Sequence, residues 1–347
     1  GADELNGGND VDVLYGGTDG SADTLNGGDG NDQIFVDGGQ DVVNGGAGTD
    51  RVRVEGGAAV NIAAATYTGV ERIDGAGGND TIDGSGYFSA LTLLGFGGDD
   101  SLTGTSEEDN IQGGADNDVL TGGGKQDRLF GGTGADTLTG GTGNDLIYVD
   151  DVGDVAHGGD GTDRVQMEAG VNGVILDLSN WTSIERIDGS AGADGIDASG
   201  FTASVLIVAN GGDDTITGGS ANDVLFGNAG ADEVSGGGGN DVIVGGTGAD
   251  IMNGGLGDDV FFLDGSADVI TGGGVDGDGN VDRARFDNGV VGANLSLAGW
   301  SGLERLNATT GDDTIDAGTQ TLDMVINANA GADSVIGWSG DDGTRAI

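Results

Sequence analysis

Aspartate recurs every ninth residue through most of this 347-residue chain. Between 95 and 166, eight consecutive blocks carry it at the sixth place: Asp100, Asp109, Asp118, Asp127, Asp136, Asp145, Asp154 and Asp163. Carboxylates repeated in this way are hard oxygen ligands. With neighbouring carbonyls they suit calcium, which takes about six to eight oxygens at roughly 2.3–2.6 Å. Magnesium keeps its waters and wants a stricter octahedron, so it fits less well. Aspartates serving only as turn formers, through bonds to their own backbone, would be interchangeable with Asn or Ser. The sixth place is Asp almost without exception.

The rest of each block explains how the carboxylates are positioned. In GGADNDVLT, GGTGADTLT and GGTGNDLIY the leading glycines permit positive φ and close backbone approach, so six residues make a tight turn. The last three residues make a short strand whose middle side chain points inward. That middle place is always apolar here: Leu102, Ile111, Leu120, Leu129, Leu138, Ile147, Ala156 and Val165. One block cannot bury its side chain alone. Blocks therefore stack, two to a coil, and blocks two apart lie above one another. Turns that share a side gather their aspartates and carbonyls in the gap between them.

These blocks resemble the nonapeptide GGxGxDx-apolar-x of the RTX (repeats-in-toxin) calcium-binding family. The resemblance implies an all-β fold: a right-handed parallel β-roll or β-helix solenoid with calcium (Ca2+) between its turns. It also implies export by a type I secretion system. The metal ligands it implies are Asp12, Asp32, Asp50, Asp100, Asp118, Asp136, Asp145, Asp163, Asp214, Asp223, Asp232, Asp241, Asp250 and Asp259. Turn pairs starting at 113/131, 140/158, 218/236, 227/245 and 236/254 match best. In GGGKQDRLF, Lys125 holds the fourth place, where glycine is expected, and GTSEEDNIQ also departs from the pattern. Weak or empty sites are expected at those two turns.

Composition narrows the function classes. Sixty acidic residues against 11 basic give a formal charge of −49, and 79 residues are glycine without a Gly-X-Y triplet. Self-repulsion on that scale predicts disorder unless counter-ions bind. Roughly fifteen calcium ions would remove some 30 of those charges. Nucleic acid is excluded as a partner, because phosphate binding needs basic patches. The chain has no cysteine, hence no disulfide or zinc-thiolate site, and no proline, which suits a solenoid whose N–H groups fill sheet ladders. No apolar stretch approaches membrane-spanning length, so no membrane insertion is expected. Both ends cut through a repeat, so the chain reads as part of a longer polypeptide.

Along the chain, nonapeptide runs alternate with more apolar spacers: a run at 1–53, a spacer at 54–94, a run at 95–166, a spacer at 167–208, a run at 209–285, a spacer at 286–327, and the start of a further run at 328–347. A five-residue insertion interrupts the third run near 272–280. Glu71/Arg72, Glu185/Arg186 and Glu304/Arg305 mark a long superrepeat. The spacers are expected to be coils of the same solenoid, held by packing instead of metal.

Arginines cluster where runs stop, at Arg51, Arg164 and Arg283, and after the marker glutamates. Guanidinium groups would replace calcium there as countercharge, bidentate to nearby carboxylates. His157, the only histidine, reads as a solvated strand residue, and Trp181, Trp300 and Tyr67 read as packing. There is no HExxH and no GxSxG, so no enzyme is expected. The leading expectation is a calcium-dependent extracellular structural protein: a bacterial surface-layer (S-layer), adhesin or fibre module that self-associates or meets other cell-surface components. The alternative is the carboxy-terminal calcium-binding module of a secreted protease, lipase or epimerase. An ice- or sugar-binding face would need a regular outward threonine ladder.

Overall fold

A computed structural model describes residues 1–336 apart from 39, 58, 151–152, 169–172, 174, 265–267, 274–280, 287–289 and 319–323. The centre of the expected insertion, parts of the 286–327 spacer and the end of the last run lie outside the described residues. Among those described there is no α-helix; the regular elements are short parallel strands and occasional 3-10 turns such as Ala64–Thr66. The chain divides into two compact units, Gly1–Glu168 with Asn180–Ile184, and Ala169–Ser179 with Glu185–Ile347.

In the first unit one sheet stacks Val13–Tyr15, Gln33–Val36, Arg51–Val54, Arg72–Asp74, Thr92–Gly97, Asn110–Ala115, Arg128–Thr133, Leu146–Val149 and Arg164–Met167 in that order, all parallel. The other side of the coils carries two shorter sheets. One joins Glu4–Asn9, Thr24–Asp29 and Val42–Ala47; the other runs from Asn61–Ala63 through Thr81–Asp83, Ser101–Thr103, Val119–Gly124 and Thr137–Thr142 to Val155–Asp160. The second unit repeats the plan. One sheet runs from Arg186–Asp188 to Val325–Asn327, and opposite it Ile175–Asp177 leads six strands and Asn294–Ser296 leads three. Each unit is thus a parallel β-solenoid, with two nonapeptides to the coil.

Through the central run the eighth place is the core. Leu102, Ile111, Leu120, Leu129, Leu138, Ile147, Ala156 and Val165 have no exposed surface, while the seventh and ninth places face outward, as alternation along a strand requires. One aliphatic side chain per nine residues is a thin core, worth about 1.5–3 kcal/mol when fully buried. The turns must therefore contribute cohesion of their own.

The spacers are coils of the same winding. Arg72–Asp74 pairs with Arg51–Val54 on one side and Thr92–Gly97 on the other. The opposite sheet breaks at the same level, because the spacer exceeds two blocks and takes a detour. Val42–Ala47 joins the next coil through an isolated bridge, Asn44 with Thr68, and Asn61–Ala63 starts a new sheet. His157 with Thr182, and Thr271 with Ser301, mark equivalent places.

Candidate metal centre

The aspartates are joined coil to coil by one repeated bond. The backbone N–H of each donates to Oδ1 of the aspartate one coil on: Asp100 to Asp118, Asp118 to Asp136 and Asp127 to Asp145 at 2.8 Å, and Asp145 to Asp163 at 2.7 Å. The first run does the same from Asp12 to Asp32 at 2.8 Å and from Asp32 to Asp50 at 2.7 Å. In the third run Asp214 reaches Asp232, Asp223 reaches Asp241 and Asp241 reaches Asp259 at 2.8 Å, with Asp232 to Asp250 at 3.0 Å. The bond fixes each carboxylate and leaves one oxygen to spare.

That second oxygen separates the aspartates into two kinds. Oδ2 of Asp12, Asp32, Asp50, Asp100, Asp118, Asp127, Asp145, Asp214, Asp232, Asp241, Asp250 and Asp259 is buried without a hydrogen bond. A buried acceptor left unmet costs about 1–3 kcal/mol, and more if charged, so its repetition through every run calls for a cation. At Asp80, Asp109, Asp194 and Asp223 the turn closes on itself instead. Oδ2 there accepts the N–H of Ala76 (2.6 Å), Thr105 (2.5 Å), Ser190 (2.6 Å) and Gly219 (2.7 Å).

Carbonyls line the space beside each open oxygen. A Cβ placed on Gly113 would collide with Asp118 Oδ2 and lie 2.7 Å from Gly131 O in the next coil; one on Gly140 would meet Asp145 Oδ2 and lie 2.6 Å from Gly158 O. From the coil below, Gly114 O and Asp116 O point at the Cα atoms of Gly132 and Gly134. The first-place glycine keeps this cradle open. The second and fourth places need positive φ, as at Gly132 (+88°) and Gly134 (+137°), and Phe96 (+79°) and Lys125 (+65°) adopt it without glycine's freedom. Among the described residues no three His, Cys, Asp or Glu side chains gather in one cluster. The donors are one carboxylate oxygen per turn plus main-chain carbonyls, an all-oxygen set that fits calcium and not the softer transition metals.

Burial drives the electrostatics. Desolvation pushes the Asp127 carboxyl up to about 8 and those of Asp118, Asp214 and Asp241 to about 7. Those of Asp100, Asp250 and Asp259 rise to about 6. The N–H bonds oppose the shift, and in most of these turns neighbouring aspartates in the column add to it. Without countercharge Asp118, Asp127, Asp214 and Asp241 hold protons near neutrality in the folded roll.

The family model of the RTX calcium-binding nonapeptide repeat (4 copies) matches at 1–21, 18–52, 66–86, 94–129, 121–156, 208–243, 244–278, 301–320 and 325–343, well over half the chain. The chain belongs to the RTX calcium-binding nonapeptide-repeat family. No curated protein sequence matches it. As an RTX β-roll module it presents the ladder to calcium: bound, the ion supplies positive charge to the open carboxylates. The chain's own residues orient those carboxylates through the N–H bonds and exclude side chains from the cradle through glycine.

Of the fourteen aspartates that the resemblance implies, all thirteen besides Asp223 stand in the ladder with Oδ2 away from their own turn's N–H groups; Asp223 is enclosed by Val205 N and Gly219 N. In the two irregular turns Asp109 is likewise closed, Asp127 is open, and Lys125 Nζ pairs with Glu107 one coil away. The sequence reading missed the ladder role of the marker glutamates. Glu71 Oε2 accepts Asp50 N at 2.7 Å, and Glu304 Oε2 accepts Asp282 N at 2.8 Å. Their recurrence just past the last aspartate of a run is the signal that could have revealed it.

The arginines act as countercharge at these steps. Arg51, Arg53 and Arg72 surround fully buried Asp74, and Arg186 grips Asp188 through Nε and Nη2. Trp181 and Trp300 are buried and donate to the carbonyls of Asp154 (3.0 Å) and Asp268 (2.8 Å). His157 lies 2.9 Å from Thr182 Oγ1 on the exposed surface.

Proposed function

We propose that this chain is a calcium-dependent structural module of an exported protein, a length of surface array or adhesive stalk with no catalysis of its own. The observation that carries the reading is the column of buried, open carboxylate oxygens that continues run after run at superrepeat spacing. Carboxylates fixed in such a ladder are unavailable as acid or base. At the low calcium of a cytoplasm the polyanion stays unfolded and can be exported. Outside, binding to the folded form alone draws the chain into the roll, since stabilisation grows as ligand exceeds its dissociation constant. Two kinds of parent protein suit such a module, and the superrepeat favours the array over an enzyme's appendage because it builds length from one unit.

Far-UV circular dichroism with calcium and with EGTA tests this. The expected result is a β-rich spectrum that collapses to a disordered one on chelation and returns when calcium is restored. A β-rich spectrum indifferent to EGTA would overturn it.

A further inference from the structure

The three superrepeat copies are not equivalent at their arginines. In the first, Arg51 pairs with Arg72 and Arg53 with Asp74 across neighbouring strands, and the three guanidinium groups close on the Asp74 carboxylate, with Arg72 Nε 2.6 Å from Oδ1. In the last, the same register sets Arg283 beside Arg305 and Arg285 beside Asn307. The carboxylate has become an amide, and its Oδ1 is taken by Asn327 Nδ2 at 2.6 Å. The frame is otherwise kept: Arg285 lies over Phe262, 3.9 Å from the ring centroid, as Arg53 lies over Phe35 at 5.5 Å. Among the described residues none of Arg283, Arg285 and Arg305 forms an ion pair, and Arg285 and Arg305 are exposed, on a chain of charge −49.

We propose that Arg283, Arg285 and Arg305 form an open carboxylate clamp that receives an exposed aspartate or glutamate from a second copy of this chain. The first copy shows the chemistry the clamp performs when a carboxylate is supplied. Planar guanidinium groups engage both oxygens, a geometry lysine cannot match. Charge complementarity points to the occupant. The arginines with described contacts lie on one sheet of each unit, whereas the other sheet turns exposed Asp83, Asp177, Asp197, Glu233 and Asp316 outward and, among the described residues, carries no Lys or Arg. A contact between unlike faces joins copies head to tail and propagates wherever its rotation does not close a ring. The inference rests on the structural-module reading and names the contact that would build the array.

The test is sedimentation velocity of the calcium-loaded chain over a concentration series, beside the variant N307D and the triple variant R283Q/R285Q/R305Q. N307D restores the internal carboxylate, fills the clamp and leaves the fold intact, as Asp74 does. The parent is expected to self-associate and both variants to associate at least roughly tenfold more weakly, with calcium-induced dichroism unchanged. A monomeric parent, or N307D associating like the parent, would overturn the clamp while leaving calcium-dependent folding standing. So would capture of a soluble polyuronate by a parent that does not bind itself. Loss of the dichroism response to EGTA would instead sink the calcium reading, and the sedimentation comparison would still decide the clamp.

Discussion

Asp118 and Asp223 occupy the same place in their blocks yet do different work. Asp118 keeps Oδ2 open, whereas Asp223 spends both oxygens on backbone N–H groups. D118N is therefore expected to lower the number of calcium ions bound, counted by native mass spectrometry or equilibrium dialysis. D223N should leave that number unchanged and cost about 1–3 kcal/mol of stability, because an amide NH2 cannot accept from Gly219 N. Equal stoichiometry in the two variants would remove the distinction. Protonation gives a second handle at this scale. Burial raises the carboxyls of Asp127, Asp118 and Asp214, so their contribution to the metal-free roll is full below about pH 4 and lost as pH rises through about 7 to 8. Without calcium the chain is unfolded and its carboxylates are already ionised at about pH 6 to 8, so the calcium midpoint of folding should hold steady over that range and rise only as pH falls toward about 4, where the unfolded chain takes up protons. A midpoint that moved between about pH 6 and pH 8 would mean that a protonated metal-free roll is populated, and would contradict calcium-driven folding. The nine-residue spacing made these aspartates legible as a set. It could not say which were open, because closure depends on whether a local N–H, such as that of Thr105 or Gly219, turns toward the carboxylate.

At the level of coils, the apolar eighth place was legible outright: period two along a strand and period nine along the chain leave Leu129 or Ile147 one place to go. The spacers were legible only as coils. The break of one sheet beside Thr68 was hidden, since it follows from chain length between turns and from no residue type. The recurring aromatic shows what sequence can suggest without specifying. Trp181 and Trp300 each end on an aspartate carbonyl, but Tyr67, at the equivalent place, is buried with its hydroxyl unbonded. Replacing Trp300 with Phe should lower calcium-loaded stability by about 1 kcal/mol through loss of the indole bond, measured by chemical denaturation at saturating calcium. No change would mean that the bond carries no weight.

Across the molecule, the two sheets of each unit differ in kind: one displays arginines and rings stacked at coil spacing, such as Phe130 on Tyr148 with centroids 4.2 Å apart, and the other displays Thr, Ser, Asn and Asp. Composition announced the excess of negative charge but not this division, which appears only once the blocks are wound two to a coil. The central claim is that calcium joins the turns, because a core of one aliphatic residue per block is too thin to hold a polyanion folded. Anomalous diffraction at long wavelength from crystals grown in calcium tests it most directly. Peaks are predicted in the gaps between turns that share a side, beside the open oxygens of Asp118 and Asp145 and absent beside Asp223. Gaps without anomalous signal, or carboxylates turned out to solvent, would contradict the account.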